Sequence, residues 1–137
     1  MLLRVAIILQ TLALFAAPIT AGLLLSSPGG RTLHSVSAYG VFTVAVSHLV
    51  VAILVWRPGG GSPRPILYAA GFLALTLAQV ALGIARVKTL HVPLGVLMFG
   101  MSVLQLSRVL ADRRPHVAAA GRRGGAGRAA PAHLDHL

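Results

Sequence analysis

The stretch LHSVSAYGVFTVAVSHLVVAILVW, residues 33–56, decides the fold. It runs through 24 residues without an Asp, Glu, Lys or Arg, and about 20 apolar residues suffice to cross the hydrocarbon core of a bilayer as a helix. Three further apolar runs flank it, over residues 4–26, 65–87 and 90–110. The links are short and rich in helix breakers: Ser26-Ser27-Pro28-Gly29-Gly30 after the first run and Pro58-Gly59-Gly60-Gly61-Ser62-Pro63 after the second. Arg86-Val87-Lys88-Thr89 separates the last two. Short links make neighbouring helices antiparallel, so the expected fold is all-α, an up-down-up-down four-helix transmembrane bundle.

Composition agrees. Hydrophobic residues make up 56% of the 137 and charged residues only 10%, against about 25% charged in soluble domains. Lipid must therefore cover most of the surface. The absence of cysteine excludes disulfides, iron–sulfur clusters and thiol chemistry. The net charge of +10 does not point to nucleic acid. Its cations cluster at the ends of the apolar runs and in residues 111–137, read as a disordered basic tail, where membrane topology and not a folded nucleic-acid surface requires them. His133, Asp135 and His136 in that tail read as solvated residues. The first run exceeds the roughly 7–15 residues of a signal-peptide core, so it is expected to be a retained helix despite Arg4 before it and Ala21-Gly22 near its end.

With the N-terminus inside, the inner side holds Arg4, Arg57, Arg64, Arg108, Arg113, Arg114, Arg122, Arg123 and Arg128, and the outer side holds Arg31, Arg86 and Lys88. Nine against three predicts both ends on the cytoplasmic side of a bacterial inner membrane. Trp56 and Tyr68 then belong to the inner interfacial belt.

An internal repeat carries the chemistry. Thr32-Leu33-His34 opens the second helix and Thr89-Leu90-His91 the fourth. Four residues on stand Ala38 and Gly95, eight residues on Phe42 and Phe99, and fourteen residues on His48 and Gln105. A duplicated helical hairpin explains the match. Helices two and four are parallel and diagonal in such a bundle. Axes about 8–10 Å apart put the diagonal at roughly 11–14 Å. Two imidazoles reaching across it leave room for one metal ion between them, so His34 and His91 are the expected axial ligands of a haem b. Ala38 and Gly95 leave space for a flat macrocycle, and Phe42 and Phe99 are expected at its deeper edge. Arg31, Arg86 and Lys88 lie at the same end, placed to pair with propionates. Each histidine sits in the first turn of its helix, where the dipole favours the neutral, metal-binding imidazole. The bland alternative is a pair of interfacial histidines after ordinary threonine caps.

His48 lies about 21 Å further along the helix than His34 and within about 40° of the same face. An ionisable residue inside a membrane is a functional candidate by default. A hydrogen-bonded cluster of Gln10, His48 and Gln105 is the favoured reading, ahead of a second haem or a proton relay; Met101 is the one sulfur ligand in reach.

The pattern around His34 and His91, with Gln79-Val80-Ala81-Leu82-Gly83 leading to the second histidine, resembles one four-helix half of the haem A synthase family across residues 4–110. It is also similar to small uncharacterised bacterial four-helix membrane proteins. The family resemblance implies paired haem-ligating histidines on the second and fourth helices. It does not carry over the family's oxidation chemistry: Arg31 stands where a carboxylate would precede the histidine, and the four runs contain no Asp or Glu. The fourteen-residue spacing of His34 and His48 resembles the di-haem transmembrane cytochromes b, but the matching position on the fourth helix is Gln105. No catalytic nucleophile–base pair, phosphate loop or carboxylate dyad is present.

Two functions follow as expectations. One is a small haem-binding cytochrome b-like protein in electron transfer or haem handling, with a redox partner. The other is a haem-free accessory or assembly subunit packed into a larger membrane complex through Gly71, Gly83, Gly95 and Gly100. A transporter ranks third, for want of carboxylates within the membrane.

Overall fold

The computed structural model describes residues 1–59 and 62–111. Four helices follow in order: α1 Leu2–Ser26, α2 Gly30–Gly59, α3 Arg64–Ile84 and α4 Lys88–Ala111. All four are long and apolar enough to span a membrane. Residues 112–137, which hold nearly all of the basic tail, lie outside the described residues.

The helices form a closed ring in which α1 packs on α2 and α4, and α3 packs on α2 and α4. The diagonal pairs are out of main-chain contact. Thr11 meets Ser102 and Phe15 meets Phe99, which fixes α1 and α4 antiparallel. Gly83 faces His91 and Gly95 faces Gln79, which does the same for α3 and α4. The expected all-α, up-down-up-down four-helix bundle is therefore the fold.

Two of the boundaries that differ from the sequence expectation lie at tight turns. Helix α2 starts three residues early, at Gly30, because its N–H reaches the Ser27 carbonyl in a tight turn. A side chain at Gly30 would collide with the main chain of Leu23, so the turn accepts only glycine. Helix α3 stops at Ile84, and the expected span to residue 87 is corrected. Val87 N–H bonds to the Leu82 carbonyl at 3.0 Å and Arg86 N–H to the Gly83 carbonyl at 3.2 Å. This is a Schellman closure, and it needs a left-handed residue at Arg86, whose φ is 58°. Glycine normally takes that position, and its absence hid the helix end in the sequence.

The interior is narrow. Leu14, Val41, Ala45, Phe72 and Met98 form the apolar core at mid-depth, and Ala45, Ala52 and Ala69 are buried where small side chains let helices approach. The large apolar side chains elsewhere, such as Leu12, Leu54, Leu67 and Leu104, face outward. In water this would be an aggregating surface; in a bilayer it is the lipid contact. The described residues contain no Asp or Glu.

Candidate functional site: paired histidines at one end of the bundle

His34 and His91 meet near the starts of the two diagonal helices, His34 as the fifth residue of α2, past the first turn where it was expected, and His91 as the fourth of α4. Their ring centroids are 6.2 Å apart and the ring planes are inclined at 79°. Both residues are half-buried.

Each imidazole is held from the preceding helix of its own hairpin. His91 Nδ1 lies 3.1 Å from the main-chain oxygen of Gln79. A carbonyl only accepts, so Nδ1 is the donor, and in the tautomer with Nδ1–H the lone pair is on Nε2. Gly83 provides the space: a Cβ there would stand 3.3 Å from His91 Cε1. His34 Nδ1 lies 3.2 Å from Thr20 Oγ1. The Thr20 hydroxyl is also 2.9 Å from the Ala17 carbonyl, and when it donates there its oxygen can accept from His34 Nδ1. Ser37 Oγ adds a contact to Thr20 at 2.8 Å and to the His34 carbonyl at 2.8 Å. Both histidines therefore expose the same nitrogen, Nε2, with Nδ1 tied to an oxygen. That is the usual arrangement of a metal-ligating histidine and the partner that orients it.

The donor set discriminates among metals. The described residues contain no group of three or more His, Cys, Asp or Glu able to hold an ion. Two histidines alone leave a free divalent ion short of ligands. An iron porphyrin brings four nitrogens and asks the protein for two axial ones. Two histidine donors are the number such a group would take from the protein, and these two ring centroids lie 6.2 Å apart.

The expected surroundings fit less uniformly. Gly95 does leave a notch, but the amide of Gln79 fills it, with Nε2 2.8 Å from where a Cβ would be. Gln79 Oε1 is buried without a hydrogen-bond partner. Ala38 is half-buried, one turn along α2 from His34. Phe99 packs on Phe15 at 6.0 Å between centroids and on the core, and Phe42 is 37% exposed. Arg31, Arg86 and Lys88 are exposed at the histidine end of the bundle.

Deeper in the bundle, His48 Nδ1 and Gln10 Oε1 are 2.6 Å apart, and both residues are 1% exposed. Gln105 is half-buried and makes no side-chain hydrogen bond to them, so the expected three-residue cluster is a pair. Met101 is exposed on the outside of α4. Sequence reasoning missed Thr20, Ser37, Thr11 and Ser102, and it gave Gln79 no part in holding His91. Thr11 Oγ1 and Ser102 Oγ, 2.8 Å apart, bridge α1 and α4. Small hydroxyls in apolar helices give no periodic signal, and their partners are set by packing alone.

No protein-family model, curated protein or solved structure matches the chain.

Proposed function

We propose that this chain is a small haem-binding membrane protein, cytochrome b-like, with His34 and His91 as axial ligands of a haem b. The observation that carries the reading is the meeting of two imidazoles, 6.2 Å apart between ring centroids, both with Nδ1 bonded to oxygen and both with Nε2 free. Thr20 and the Gln79 carbonyl hold the ring orientations, and Gly83 gives His91 its place. Arg31, Arg86 and Lys88 supply positive charge for propionates at that end. The apolar bundle provides a low-dielectric wall. Bound haem would supply one-electron redox chemistry, in electron transfer or haem handling with a redox partner. The distribution of cations, nine to one side and three to the other, supports an orientation with both termini in the cytoplasm of a bacterial cell and the histidine pair towards the outer face.

A second reading is a haem-free accessory or assembly subunit. It draws on Gly71 and Gly100, which border open space and permit close approach of another helix. Gly83 and Gly95 serve it less, since a Cβ at Gly83 would meet the His91 ring and one at Gly95 the Gln79 amide.

The deciding experiment is an absorption spectrum of detergent-purified protein, oxidised and dithionite-reduced, for wild type, His34→Ala and His91→Ala. A low-spin spectrum lost in either variant supports the haem. A wild type that stays colourless after haem is added removes it and leaves the accessory subunit.

A further inference from the structure

We infer that the cleft between the start of α1, the end of α2 and the start of α3 binds an anionic phospholipid, its hydrocarbon against the apolar wall and its phosphate among Arg4, Arg57 and Arg64.

The cleft lies at the end of the bundle opposite the histidine pair and measures about 230 Å³. Its walls are Leu3, Ala52, Val55, Trp56, Ser62 and Pro65. Val55, Trp56 and Ser62 are exposed while Ala52 is buried, so the cleft runs inward from the protein surface. Only Ser62 brings a polar side chain, and its oxygen already accepts from the Arg64 N–H at 3.3 Å. The wall therefore offers hydrocarbon a place out of water and offers a small hydrated ion almost nothing.

The rim is the reverse. Leu3, Trp56 and Pro65 are chain neighbours of Arg4, Arg57 and Arg64, which puts three arginine Cα atoms about 3.8 Å from Cα atoms of the wall. Arg57 and Arg64 are exposed, and no described residue offers these cations a carboxylate. Leu3 and Pro65 also lie in the first turns of α1 and α3, which hold no acidic residue, so the positive ends of two helix dipoles add to the same field. Arg108 stands at the same end on α4, which contributes nothing to the wall.

An apolar wall ringed by cations calls for an amphiphile with a negative head. All four helices have the length and hydropathy to span a bilayer, and a tryptophan such as Trp56 sits at the level of the headgroups. An anionic phospholipid brings its phosphate to that level with its chains beneath, and cations near the membrane surface attract it. The chain itself is a poor occupant. Residues 112–137 carry five arginines against two aspartates, and a second copy would bring the same arginines to the same rim, so like charge opposes both.

Trp56 is the sole tryptophan of the chain and part of the wall, so its fluorescence reports on the occupant. The test reconstitutes the full chain in mixed vesicles of phosphatidylglycerol and phosphatidylcholine, with bromine on the acyl chains of one lipid or the other, and follows quenching of Trp56. Phosphatidylglycerol is expected to bind at least tenfold more strongly than phosphatidylcholine. Arg57→Gln and Arg64→Gln should each lower that preference about fivefold, and Arg108→Gln should leave it unchanged. Equal quenching by the two lipids overturns the inference. An equal loss in Arg108→Gln also overturns it, by reducing the preference to general surface charge. Absence of quenching by either lipid would mean that the chain fills its own cleft, and relief of quenching by inorganic phosphate at constant ionic strength would mean that a free anion suffices; both sink the lipid. The measurement needs no haem, so its outcome is independent of the histidine pair.

Discussion

His91 gives its Nδ1 proton to the main-chain carbonyl of Gln79, 3.1 Å away and twelve residues earlier in the chain. The acceptor belongs to α3 and the donor to α4, so the bond closes the hairpin and fixes the ring in one act. It also makes Nδ1 the donor and leaves Nε2 as the nitrogen able to accept or ligate. Because the acceptor is backbone, no side-chain substitution at Gln79 removes it.

That makes Gly83 the sensitive position. A methyl group there would stand 3.3 Å from His91 Cε1, tighter than ordinary van der Waals contact. Gly83→Ala should leave helicity by circular dichroism unchanged, since alanine favours the helix by about 0.5–1 kcal/mol. In haem-loaded protein it should lower haem retention and shift the low-spin spectrum. An unaltered spectrum would mean that the His91 ring is not held where described.

Thr20 plays the corresponding part for His34, with a side chain in place of a carbonyl. Thr20→Val removes the acceptor and keeps the shape. Loss of such an orienting partner typically costs about 10–100-fold in metal affinity. Haem titration should show that loss in Thr20→Val and near-native binding in Thr20→Ser. Equal binding by all three proteins would make the contact incidental.

The Thr11–Ser102 bridge is the clearest interhelical hydrogen bond between α1 and α4. A double-mutant cycle with Thr11→Val and Ser102→Ala, followed by thermal unfolding in detergent, should return a coupling of about 0.6 kcal/mol, and no more than roughly 1.7, as such bonds do in membranes. A coupling of zero would mean that the helices meet by apolar packing alone.

Two turn positions have opposite expectations. Gly30→Ala should destabilise the protein by roughly 2–3 kcal/mol, in the range of severe backbone conflicts, because the new carbon overlaps the Leu23 main chain. Arg86→Gly should stabilise it by about 1 kcal/mol, because φ of 58° costs arginine what glycine does not lose. Melting temperatures of the two variants against wild type check both signs.

The sequence revealed the bundle because transmembrane helices announce themselves through length and hydropathy, and the links at 26–30 and 58–63 carry prolines and glycines. It missed the end of α3 because Arg86 adopts a glycine conformation without being glycine. The pairing of His34 with His91 was expected from equal register on parallel diagonal helices, and their ring centroids lie 6.2 Å apart. The contents of the Gly95 notch were not legible. Whether a small residue makes room for a cofactor or for Gln79 depends on which rotamer a neighbouring helix presents, and periodicity does not encode rotamers. The same holds for Gln105, which shares the register of His48 but not its hydrogen bond.

Among the described residues, the hydroxyl bonded to the His34 ring lies on α1, and the carbonyl bonded to the His91 ring lies on α3. Each hairpin is thus a complete half-site presenting one free nitrogen, and the rings meet across a diagonal where the helix backbones do not. A centre built from two self-sufficient halves tolerates exchange of partners: the halves can come from one chain, from two fragments, or from hairpins swapped between neighbouring copies, without redesign of either ligand.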